Sequence, residues 1–213
     1  IVGTLQNNGS AVEVDSVTFK EGGTNFTNSL LVGTSSTGTL SSADGNTGVG
    51  TGVLGALTSG DDNTAIGLNA LDANTSGSNN SAVGANALST NTTGGTNVAV
   101  GVNALNKNTT GDKNVALGVL ALCTNTTGDC NTGIGHCALK VNTTGVQNTA
   151  VGAFALDTNT TAANNTAVGF AVLEANTTGT ANTAIGANAL DANTTASNNT
   201  AVGACALTTN TTG

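Results

Sequence analysis

Apolar and polar positions return in one fixed order along most of this chain. Glycine stands at Gly33, Gly50, Gly67, Gly84, Gly101, Gly118, Gly135, Gly152, Gly169, Gly186 and Gly203, an unbroken spacing of 17 residues. A β-branched residue or Leu precedes each of the regular glycines, from Ile66, Val83, Val100 and Leu117 through Ile134, Val151, Val168 and Ile185 to Val202. A second apolar column follows each glycine four residues later, at Leu71, Leu88, Leu105, Leu122, Leu139, Leu156, Leu173, Leu190 and Leu207. From Asn63 onward the unit reads N-T-A-V-G-x-N-A-L-x-x-N-T-T-G-x-x, whereas residues 29–62 hold two looser copies.

Seventeen residues are too few for the helix pairs of common helical repeats, and Thr, Asn and Gly are poor in helix interiors. The half-unit T-A-V-G-A-N-A-L alternates as a strand does, and N-T-T-G carries turn chemistry, its glycine free to take positive φ. Each unit therefore predicts one coil: a strand, a turn and a shorter return segment. Coils stacked in register rise about 4.8 Å each, so the eleven glycines span roughly 50 Å. The predicted fold is all-β, an elongated β-solenoid.

The two apolar columns lie five residues apart, and opposite strand parity sends them to opposite faces. Burial of both is expected, one inside the coil and one against neighbouring chains, because a 17-residue coil lined by Ala and Val encloses only a thin core. Three chains would complete it.

Asparagine recurs at two phases. The first holds Asn63, Asn80, Asn97, Asn114, Asn131, Asn148, Asn165, Asn182 and Asn199; the second runs from Asn74 through Asn91, Asn108, Asn125, Asn142, Asn159, Asn176 and Asn193 to Asn210. Stacked amides bond to the coil above and below, and Asn also tolerates left-handed turn geometry; both roles are expected. Residues 1–28 leave the period, although 12–19 alternates like a strand, and this segment reads as a cap or lead-in. The chain thus divides into a lead-in (1–28), degenerate repeats (29–62) and regular repeats (63–213), a segment of something longer.

Composition narrows the function. The 213 residues include four Phe and no Trp, Tyr, Met or Pro, and the formal net charge is −8. A basic footprint for nucleic-acid phosphate is missing, and no apolar run is long enough to insert in a membrane.

Candidate chemistry is sparse. His136 has Cys137 beside it and Cys123 and Cys130 nearby, but the seven-residue gaps match no zinc spacing; in repeat phase they read as variable packing positions. Cys137 and Cys205 share a phase four coils apart, about 19 Å, too far for a disulfide within one chain, and buried free thiols are expected. Asp157, Glu174 and Asp191 share one phase, Asp112 and Asp129 another. Such stacked carboxylates are either a solvated edge or a place for bridging calcium; no other cofactor is expected. The nine N-x-[ST] sequons from Asn74 to Asn210 are explained by turn chemistry.

The unit N-T-A-[VI]-G-x-x-A-L-x-x-N-T-T-G resembles the repeats of bacteriophage tail fibres and related virion appendages over residues 46–213, and Phe26–Gly33 resembles the lead-in to such repeats. More distantly it is similar to the A-[IV]-G-x-x-A repeats in head domains of trimeric autotransporter adhesins. That resemblance implies a left-handed parallel β-roll in a homotrimer, a place on a virion or, alternatively, a cell surface, and partners among other fibre proteins and a host receptor such as a glycan. A non-enzymatic attachment fibre is the first expectation. The second is an ice- or glycan-binding solenoid using Thr columns such as Thr92, Thr109, Thr126 and Thr143. An enzyme is not expected, because one His and scattered carboxylates assemble no acid, base and nucleophile.

Overall fold

The computed structural model describes the backbone at residues 12–14, 17–23, 26–33 and 41–211, and side chains at 29–33 and 41–211. The strands are β1 (Val12–Val14), β2 (Val17–Gly23), β3 (Phe26–Val32), β4 (Ala43–Asp44), β5 (Thr47–Val49), β6 (Thr64–Ile66), β7 (Ser81–Val83), β8 (Val98–Val100), β9 (Val115–Leu117), β10 (Thr132–Ile134), β11 (Thr149–Val151), β12 (Thr166–Val168), β13 (Thr183–Ile185) and β14 (Thr200–Val202). They form one sheet: β3 and β5 to β14 run parallel, while β4 adds a short parallel pair to β3. The expected strand over 12–19 is instead two antiparallel strands, β1 and β2, and β2 pairs antiparallel with β3. The rest of the lead-in lies outside the described residues.

Register equals the repeat. Thr132, Gly133 and Ile134 pair with Thr149, Ala150 and Val151 one coil on. Hydrogen bonding along the rod continues through the turns, where Leu71 N–H donates to Ala87 O (3.1 Å) and Thr75 N–H to Thr92 O (2.9 Å). Main-chain groups far outside the three-residue strands are thus paired between coils, as a solenoid with so little strand requires.

The interior is narrow, and the sequence fills it accordingly. The middle residue of each strand from β5 to β14 points inward, and it is Ala or Gly: Ala65, Ala82, Ala99 and Ala116 have no exposed surface. Leu71 to Leu190 close the opposite wall, also fully buried, whereas Leu207 on the last coil is 51% exposed. Each of these leucines sits at φ near +50° (Leu122, 50°). That conformation costs an L-residue on the order of 1 kcal/mol, and burial of the isobutyl group offsets it. The turn closes with a local bond, as from Asn125 N–H to Leu122 O at 3.1 Å.

The apolar column on the strands is not buried within the chain. Ile66, Val83, Leu117, Ile134 and Ile185 are 37–41% exposed and point outward. Strand parity is the reason: with Ala facing in, its neighbour must face out. Of the Ala and Val expected to line the coil, the strands therefore turn Ala inward and Val outward, and the second apolar face lies on the outside of the coil.

Candidate functional site

Both asparagine columns lie inside the coil, and from Asn63 to Asn182 and Asn74 to Asn193 they are fully buried. In the first column each Oδ1 accepts from the next coil: Asn131 N–H and Nδ2 reach Asn114 Oδ1 at 2.9 and 3.2 Å. In the second, Asn125 Nδ2 donates to Asn108 Oδ1 at 2.9 Å. The first column is started by Ser29, whose Oγ accepts from Asn46 N–H at 2.8 Å. Neither column adopts positive φ. The left-handed positions are elsewhere, at the leucines, at the Asn69/Asn86/Asn103 phase and at the Asn79/Thr96/Lys113 phase. Asparagine is used in the two invariant columns for its amide, not for its backbone tolerance.

The glycines divide into two kinds. Those of the main column from Gly50 onward take φ of about +125° to +139°, and a Cβ on Gly118 would stand 2.5 Å from Gly135 O. The N-T-T-G glycines do not take positive φ, contrary to the sequence expectation. They are small because the coils touch there: a Cβ on Gly111 would lie 2.6 Å from Gly128 O. Alanine replaces this glycine at Ala162, and the stack widens to admit it, Thr160 N–H reaching Thr177 O at 3.3 Å against 2.9 Å for Thr126 to Thr143.

The outer face carries two apolar columns separated by the main glycines. One is the strand column from Val49 through Ile66 to Val202. The other follows each glycine and holds Leu68, Val102, Val119 and Phe170, 43–55% exposed, with alanines between them. Sequence reasoning found the first of these and missed the second; its signal was present, since a residue two after an outward one, across a glycine corner, can share the face.

The His–Cys group lies on the same side. Cys137 Sγ is 3.7 Å from His136 Nε2, and His136 contacts the edge of Phe154 (centroids 5.3 Å, 73°), which in turn meets Phe170 (5.9 Å, 84°). All four cysteines are free; Cys137 is buried, Cys123 half-buried, and Cys130 and Cys205 are exposed, so burial holds for only part of the set expected. Desolvation pushes the Cys123 and Cys137 thiols above their ordinary range, which keeps them protonated and poorly nucleophilic. Among the described residues no three His, Cys, Asp or Glu side chains converge as a metal site. Asp112 and Asp129 turn a carboxylate oxygen onto a main-chain N–H of the preceding coil, of Gly95 (2.7 Å) and Asp112 (2.8 Å). Lys140 Nζ approaches Asp157 Oδ1 at 3.9 Å.

The Thr92, Thr109, Thr126 and Thr143 hydroxyls each donate to the carbonyl of the equivalent threonine one coil on, at 3.0–3.1 Å. No helix of the described residues is long and apolar enough to cross a membrane. No known protein family, curated protein or solved structure matches the chain.

Proposed function

We propose that this protein is a structural, non-enzymatic segment of an attachment fibre, assembled as a homotrimer through the outward apolar face and carried on a virion appendage. The observation that carries the reading is the outward apolar column from Val49 to Val202, exposed at Val49, Ile66, Val83, Leu117, Ile134, Ile185 and Val202 and half-buried at Val100, Val151 and Val168. The exposed residues of the two columns line up along the rod as an apolar surface, the kind that marks a protein interaction site. The rod's own repeat suits an identical partner, because a second copy presents apolar side chains at the same axial rise. The resemblance of the repeat to tail-fibre sequences supports the virion over the bacterial surface.

In this reading the rod supplies reach and multiplicity, and weak contacts from three identical chains add through avidity. The experiment is competition: purified assembled protein in excess should reduce adsorption of the particle that carries it, and an antibody against the repeat should decorate an appendage. Undiminished adsorption with decoration confined to the particle interior would overturn the assignment.

A further inference from the structure

A face built on a 17-residue repeat has a problem that its own regularity creates. Two such faces pressed together can slide by one coil, about 4.8 Å, and meet almost the same surface again. Strand columns of Ile and Val alone therefore hold copies together without fixing their height. The second outer column is where the repetition fails. It reads Leu68, Ala85, Val102, Val119, His136, Ala153, Phe170, Ala187, Ala204, so a large ring stands between two alanines. Phe170 is 55% exposed. Phe154, half-buried in the adjacent column, holds its edge at 5.9 Å and is itself braced on His136 at 5.3 Å. No other aromatic side chain is described on the rod.

From this we infer that His136, Phe154 and Phe170 are the register lock of the assembly, the aperiodic knob that makes one axial alignment of the chains better than its neighbours. The inference rests on the proposed association of copies and specifies how that association is aligned. In register, the Phe170 rings of the copies stand at one height, each flanked along its column by Ala153 and Ala187. After a one-coil slip each ring faces a side chain of different volume, and the interface either opens or leaves a void. Aromatic side chains near the middle of an interface are also where binding energy concentrates. The stack itself does not need these residues: Asn86, Asn103 and Asn188 fill the Phe154 phase elsewhere, and Ala153 and Ala187 fill the phase of His136 and Phe170.

The test is photo-cross-linking of the full chain with a benzophenone amino acid at Val100, mapping by mass spectrometry which coil of the partner is captured. The native chain should give products in one partner coil. The triple variant His136→Ala, Phe154→Asn, Phe170→Ala should keep its β-sheet circular dichroism and its oligomeric mass, yet give slipped products, 17 residues to either side, at about a tenth or more of the total. A variant that still captures a single coil overturns the lock while leaving association intact. A native chain that yields no inter-chain product and sediments as a folded monomer removes the association reading, and the lock with it.

Discussion

Asn114 and Asn125 donate to the same carbonyl oxygen, Gly128 O, at 2.8 and 2.9 Å. The two columns are therefore one network, repeated in each coil and joined at the N-T-T-G turn. Substituting Asn114 by Ala strips Asn131 of the acceptor for both its N–H and its Nδ2 and leaves buried polar atoms unpaired. At about 1–3 kcal/mol for each group left unsatisfied, Asn114→Ala should cost roughly 3 kcal/mol or more, read by denaturant unfolding. Asn114→Ser, which keeps an acceptor as Ser29 does, should cost less.

The two kinds of glycine should respond differently to alanine. Gly118 combines φ of +139° with backbone at 2.5 Å, so Gly118→Ala meets both strain and collision. Gly111 is crowded by Gly128 O at 2.6 Å but does not take positive φ, and Ala162 shows that the stack can widen at this phase to admit a methyl group. The first should lower the Tm by at least twice as much as the second; equal losses would show that crowding alone governs both sites.

Leu122 is fully buried in the thin core. Leu122→Ala should destabilise by about 2–5 kcal/mol, measured by chemical denaturation. Because Leu207 is half exposed, Leu207→Ala should cost well under half as much.

Asp157 supplies a pH signature. Its Oδ1 is buried without a hydrogen-bond partner, and desolvation raises its carboxyl above the ordinary carboxylate value, opposed in part by Lys140 and His136; burial raises Asp72 as well. An acid whose folded-state value is raised binds more protons folded than unfolded. Its stabilising contribution is present below the ordinary value and is lost as pH rises through the raised one. Asp157→Asn should therefore raise the Tm at pH 7 and flatten the decline in Tm between mildly acidic and neutral pH. A lower Tm at pH 7 would show that the pair with Lys140 outweighs desolvation.

The Thr92 to Thr143 hydroxyls are committed to carbonyls within the stack, which leaves this column poorly suited to matching an ice lattice. Thermal hysteresis should be absent at millimolar protein; a clear hysteresis gap would favour the lattice-binding alternative.

The coil, its register and its direction were legible in the sequence because one period dictates all three. The spacing of Gly67, Gly84 and Gly101 can become a parallel register in only one way. The wall on which each column sits was less legible. Val and Leu are the obvious core residues, yet the strand gives its inward place to Ala65 and its equivalents, since the coil is too thin to hold two large side chains facing each other. The left-handed leucines left no local signal either: propensity argues against Leu at positive φ, and only the closed coil imposes it. The outer column of Leu68, Val119 and Phe170 was obscured by its irregularity.

The outward face is tested most directly by the mass of the protein in solution. Sedimentation equilibrium of the native chain should give three times the chain mass, and Leu117→Lys with Ile134→Lys, two changes at exposed positions on that face, should give a monomer with an unchanged circular dichroism spectrum. A native chain that is a folded monomer at micromolar concentration, or a doubly charged variant that remains trimeric, would contradict the assignment of this face to assembly.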